Sequence, residues 1–147
     1  NLVQRVFTQI NNNFSKINEI DEANDIDKKL LQEMSESFEI VGQLIEKVEL
    51  KTSLQESMRY VSKVNGYLNE TEPWKVIKED EKRAGRILYT ALQAIDSCAN
   101  LLYPFMPTTS DLVRSAIPRE TNNSWGLNKI KTGVELKEIG LLFNKFD

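Results

Sequence analysis

The side chains best suited to chemistry gather around one corner of the chain, Asn65-Gly-Tyr67-Leu-Asn69-Glu70-Thr-Glu-Pro73-Trp74-Lys75. A tryptophan directly after a proline, at the junction of two helical patterns, is a poor place to bury an indole fully. Pro73 fixes the backbone, so Trp74 is expected to project a flat aromatic face from a rigid corner. Lys75, Lys78, Lys82 and Arg86 follow at spacings of 3, 4 and 4, one face of a helix. A stacking surface beside a basic stripe is what recognition of single-stranded RNA asks for: a splayed base stacks while its phosphates are held. The plainer reading of the same residues is a tryptophan that pins the corner and lysines that solvate a helix. A second pair lies near the start. At roughly 100° per residue the apolar face there centres on Val3, Val6, Ile10, Phe14 and Ile17, with Asn1 and Arg5 almost opposite. An amide and a guanidinium at this spacing can donate to base edges or phosphate, or form an ordinary solvated face.

Other chemistries find no support. The chain has no histidine, which removes His-dependent zinc sites, Ser-His-Asp and Cys-His catalysis, and the usual general base. Its one cysteine, Cys98, cannot form an intrachain disulfide, and it falls on an apolar stripe as a small core residue with no partner base. Carboxylates are plentiful (Glu33 and Glu36, Glu79 to Glu81), but they sit opposite apolar stripes and read as solvated faces. Glu79 and Arg83 suit a helix-surface pair. The 6 glycines are scattered, without a phosphate-binding loop. No metal site and no catalytic residue is expected.

The elements that must position these residues are helices. The 147 residues, 40% hydrophobic and 28% charged, suit one globular domain spanning 1–147. Helical runs are expected at Val3–Ile17, at Leu31–Val48 after Asp27, at Leu54–Leu68 and at Ala84–Leu102. The third presents Leu54, Met58, Val61, Val64 and Leu68; the fourth presents Ala84, Leu88, Ala91, Ile95, Cys98 and Leu102. Pro73 opens a short turn between them. A further helix, capped by Thr109–Ser110–Asp111, runs to Ile117 and is closed by Pro118. Beyond Arg119 periodicity fails, yet Trp125, Leu127, Ile139, Leu141, Leu142 and Phe143 are too apolar for a disordered tail. The expectation is an all-α bundle of about five helices with an irregular C-terminal extension packed back on it.

Net charge is −3. Residues 1–73 carry 8 basic and 13 acidic side chains, residues 74–147 carry 11 and 9. That balance argues against coating nucleic acid non-specifically and leaves room for a local basic surface that docks one RNA. No apolar run approaches the roughly 20 residues of a bilayer span and no signal peptide opens the chain, so a cytoplasmic location is expected. The start at Asn1, inside a helical pattern, reads as a fragment boundary.

These residues also carry a resemblance. Asn1-Leu2-Val3-Gln4-Arg5, followed by Asn65-x-Tyr67-Leu68-x-x-x-x-Pro73-Trp74, is similar to the anticodon-binding domain of methionyl-tRNA synthetases. Tyr103-Pro104-Phe105-Met106-Pro107 resembles that family's turn after its long fourth helix. Leu142-Phe143-x-Lys145-Phe146-Asp147 resembles its closing segment, with Lys145 where an arginine is more usual. The resemblance spans essentially the whole chain. It implies a helical bundle that recognises the CAU anticodon of methionine tRNAs, with Trp74 stacking on an anticodon base and Asn1 and Arg5 contacting bases. Asn65, Tyr67 and Pro73 would set the geometry of the corner, while phosphate contact by Lys75, Lys78, Lys82 and Arg86 comes from spacing alone. The partners implied are tRNA and a catalytic domain of the same polypeptide, with no membrane and no DNA. ATP, and zinc where present, would belong to that catalytic part, whose HIGH-like and KMSKS-like signatures this chain lacks. Two alternatives stay open. One is the related domain of an isoleucyl, valyl or leucyl enzyme. The other is a protein-interaction bundle in which Trp74 meets a protein partner.

Overall fold

The computed structural model describes residues 2–14, 22–133 and 136. Among them the chain forms α1 (Leu2–Asn13), α2 (Asp25–Glu46), α3 (Leu50–Thr71), the short α4 (Pro73–Val76), α5 (Glu81–Leu102) and α6 (Pro107–Ala116). Every helical run expected from periodicity is present. The expected continuation of α1 to Ile17 lies outside the described residues, as do Ile139, Leu141, Leu142, Phe143 and the Lys145 segment.

The bundle is built around α5. Helices α1, α2, α3, α4 and α6 all pack against it, and α2 and α3 pair with each other. Residues Ile87 to Leu101 are therefore buried without interruption, not along one stripe. Three polar members of that run, Gln93, Asp96 and Asn100, look from spacing like a solvent face. They are instead roofed by the irregular segment after α6. Asn128 and Gly126 supply carbonyls to Gln93 and Asn100, while Arg119 and Asn128 meet the Asp96 carboxylate at 3.2 and 3.4 Å. The same segment seats Ile130 in the core and accepts the Tyr89 hydroxyl at the Ile130 carbonyl, 2.8 Å. Farther along, Trp125 meets Phe38 edge-on, its ring centroid 5.1 Å away, and its indole N–H donates to the Phe38 carbonyl at 2.9 Å. Gly42, one turn on, allows that approach: a Cβ there would lie 3.3 Å from Trp125 Nε1. The extension packs back on the bundle as expected, over its described part.

Helix α3 departs from its apolar pattern. Its buried face is Ser53, Ser57, Tyr60, Val64, Tyr67 and Leu68, while Leu54 and Met58 are exposed. The serines bury because each hydroxyl donates to a carbonyl of its own helix, Ser53 to Leu50 and Ser57 to Ser53, both at 2.8 Å. A small side chain with its hydroxyl satisfied lets α3 lie close against its neighbours. Helix α6 begins at Pro107, with Met106 as the residue before it and no side-chain cap. The Thr109–Ser110–Asp111 cap is thus replaced by proline at the first helical position, where its missing N–H costs nothing.

Candidate nucleic-acid interface

The corner forms because two rules meet at it. A residue before proline is pushed out of the right-handed helical region, and Glu72 takes the left-handed conformation at φ 47°, ending α3. Its N–H still bonds the Leu68 carbonyl at 2.9 Å, while its own carbonyl receives Lys75 and Val76 at the start of α4. Pro73 is buried, so the turn is anchored, and Trp74 is half-buried, packed against the core. The indole is thus neither fully projected nor internal.

Helix α1 delivers the second element. Val6, Phe7 and Ile10 enter the core and set the helix so that Arg5 reaches the corner, its Cζ 5.4 Å from the Trp74 ring centroid. A guanidinium at that range over an indole is an attractive cation–π contact. Two candidates some 70 residues apart in sequence become one site. Asn1 lies outside the described residues.

The basic stripe is corrected. Helix α4 ends at Val76, a turn intervenes, and α5 starts only at Glu81, so the four cations do not share one helical face. Lys75, on α4, bridges Glu72 at 2.8 Å and is largely exposed. Lys78 lies exposed in the turn and Lys82 exposed on the first turn of α5. Arg86 is half-buried with its Cζ 5.5 Å from the Tyr89 centroid and its Nε enclosed. The break arises because Asp80 caps α5, its carboxylate accepting the Arg83 N–H at 3.1 Å.

The Glu79–Arg83 surface pair is also corrected. The Arg83 side chain turns inward to Asp27, its two terminal nitrogens donating to the carboxylate at 2.6 and 3.0 Å. Asp27 is fully buried and also accepts the Tyr67 hydroxyl at 2.5 Å and the Asn24 N–H at 2.9 Å. Burial by itself would raise the Asp27 pKa; hydrogen bonds from Arg83, Tyr67 and Asn24, with the guanidinium charge, outweigh it and bring the net value below the usual carboxylate range. The same contact raises Arg83, and burial followed by the Asp27 contact raises Tyr67. Sequence reasoning missed this node, although Asn24-x-x-Asp27 has the spacing of a capping box.

Cys98 is a buried core thiol, pushed up to about 12 by burial and then by Asp96. Among the described residues no three His, Cys, Asp or Glu side chains assemble into a metal site, and no helix is long and apolar enough to cross a membrane. Zinc finds no ligand set in them.

Comparisons with known proteins bear on the family and the fold of the chain. A family model described as the anticodon binding domain of methionyl tRNA ligase matches residues 7–147. The methionine–tRNA ligase of Bifidobacterium adolescentis is 45% identical over 119 residues, 80% of this chain and 19% of that protein. That of Pyrococcus furiosus is 32% identical over 146 residues, 99% of this chain and 20% of that protein. The chain therefore spans about a fifth of the length of the curated relatives it matches. Mycobacterium tuberculosis methionyl-tRNA synthetase bound by methionyl-adenylate shares the fold, with TM-score 0.84 at 20% identity over 93% of this chain and 29% of that one.

Proposed function

The chain belongs to the family of methionyl-tRNA ligase anticodon-binding domains, and from that premise we propose that it reads the CAU anticodon of methionine tRNAs and so positions the tRNA for aminoacylation elsewhere. The observation that carries this reading is the Arg5 guanidinium over the Trp74 ring at a proline-anchored corner. A splayed anticodon base stacks on the indole, and stacking is worth about 1–3 kcal/mol per base. Arg5 offers donors to a base edge, and Asn1, four residues earlier in the sequence, adds an amide. Lys75, Lys78, Lys82 and Arg86 meet phosphates from three successive segments rather than from one face.

In this reading the contribution of the described residues is geometric. An anticodon lies far from the acceptor end, and its contacts help only by holding the tRNA in register and by leaving polar groups unpaired when the anticodon is wrong. In this reading ATP, and zinc where the parent uses it, act in a catalytic domain of the same polypeptide, and the setting is the cytoplasm. The Pro73–Trp74 corner under Arg5 favours this over a related synthetase domain or a protein-binding bundle.

The test is binding of a CAU anticodon stem-loop and a loop-mutated control. Trp74→Ala is expected to weaken the CAU complex by about 1–3 kcal/mol with little change in helicity. Arg5→Ala is expected to narrow the gap between the two loops. A drop in melting temperature for Trp74→Ala with unchanged RNA affinity would overturn the proposal, and equal losses on both loops for Arg5→Ala would remove base reading from that residue.

A further inference from the structure

The segment from Tyr67 to Arg83 is a bracket whose two ends meet on one carboxylate. Asp27, in the first turn of α2, accepts the Tyr67 hydroxyl and one Arg83 nitrogen at Oδ1, and the other Arg83 nitrogen and the Asn24 N–H at Oδ2. Tyr67 belongs to the last turns of α3 and Arg83 to the first turn of α5. Trp74 lies between them, 7 residues after one and 9 before the other. The intervening chain is held as well by α4 packing on α5, by Trp74 and Val76 against the core and by Arg5 over the indole. Helix α4 has 4 residues, Glu72 is left-handed, and Lys78 and Glu79 are exposed turn residues. A single turn of helix is not stable by itself, so the orientation of the indole depends on these contacts together with the two ends of the bracket and buried Pro73.

We propose that Asp27 is a positioning residue for RNA recognition: with Tyr67 and Arg83 it clasps both ends of the segment bearing Trp74, and so sets the orientation in which the indole meets a nucleobase. The inference rests on the anticodon-binding reading; it adds Asp27 and Arg83 as residues that act through Trp74 and gives Tyr67 the contact by which it does so. The physical case has two parts. Asp27 is fully buried, so water is not at hand to replace a lost donor, and a broken contact is relieved by movement of the bracket. Stacking in turn depends on close alignment of two rings, and a site held about 1 Å too loosely loses much of its function.

The test uses this chain carrying Trp125→Phe, which leaves Trp74 as the only indole of the two present. In that background Tyr67→Phe removes one hydroxyl and keeps the ring, and Arg83→Lys keeps the charge and removes the two-pronged contact. Each is expected to retain its helical circular dichroism well below its melting temperature. Each is also expected to shift the Trp74 emission, increase its quenching by acrylamide, and weaken binding of a CAU stem-loop about tenfold, the result of leaving about a tenth of the molecules with the indole in its binding orientation. A merely structural node would lower the melting temperature and leave Trp74 emission and affinity unchanged in both variants; that result overturns the proposal. Weakened binding in Trp74→Ala with unchanged binding in Tyr67→Phe and Arg83→Lys overturns the clasp alone. Unchanged binding in Trp74→Ala as well overturns the anticodon-binding reading, and the clasp falls with it.

Discussion

Replacing Asp27 with alanine removes one buried carboxylate and leaves three donors without their acceptor. Tyr67 is 4% exposed, with Thr90 as the other polar side chain against its hydroxyl, so losing the Asp27 acceptor in this dry setting costs about 1–3 kcal/mol. The Arg83 side chain is 17% exposed; its guanidinium can tilt toward water, which holds its cost below the roughly 3–5 kcal/mol of a fully broken buried pair, at about 1–2 kcal/mol. The Asn24 N–H sits at a helix end within reach of solvent, and its lost cap costs roughly 0.5 kcal/mol. The expected loss is about 3–5 kcal/mol, or roughly 10 °C in melting temperature for a chain of this size. The assay is urea and thermal unfolding followed by far-ultraviolet circular dichroism at neutral pH and moderate salt. A second variant isolates the cause. If orphaned donors dominate, adding Tyr67→Phe and Arg83→Met to Asp27→Ala removes the unpaired groups and is expected to recover part of the loss. A loss below about 1 kcal/mol in the single variant, or no recovery in the triple one, refutes this reasoning.

Two further outcomes follow from the same physics. Asp27 and Asp96, both buried, should respond to pH with opposite sign. The folded-state pKa of Asp27 is lowered, so its contribution is present above the unfolded carboxylate pKa and is lost as pH falls through the folded value; stability relative to Asp27→Asn should decline in acid. That of Asp96 is raised, by burial only partly offset by Arg119, Asn128 and Arg114, so its contribution is present below the unfolded pKa and is lost as pH rises through the folded one. Stability relative to Asp96→Asn should therefore decline with rising pH, and parallel unfolding curves between about pH 2 and pH 7 measure both. On α3, Leu54→Lys and Met58→Lys should each change stability by less than about 0.5 kcal/mol, whereas Ser57→Leu should cost about 1–3 kcal/mol by overpacking; the reverse ranking would mean that the apolar pattern, not the serine face, meets the core.

The helices themselves were legible in the sequence, because each is a local matter of period, proline and turn residues. The runs around Val6, Met34, Val64 and Leu88, the stop at Pro104 and the Pro73 turn all depend on neighbours within a few residues. The candidate site was legible in part for the same reason: a Pro-Trp corner and an arginine on the first helix are visible as types and positions. What periodicity could not supply is which groups from distant segments share a volume. Ser53 and Ser57 bury and Leu54 does not, because the close approach of α3 to its neighbours outweighs side-chain hydrophobicity once the hydroxyls are satisfied within the helix. Gln93, Asp96 and Asn100 look solvated until residues 119–130 fold over them with matching carbonyls and a guanidinium. Arg83 has an acidic neighbour in sequence, Glu79, yet turns to Asp27, since a buried carboxylate with three donors holds a guanidinium better than a solvated one on a turn. Arg5 and Trp74 meet only because α1 and α4 both pack against α5. Local chemistry thus determined the elements and nominated the residues; the packing around one central helix decided which of them face each other.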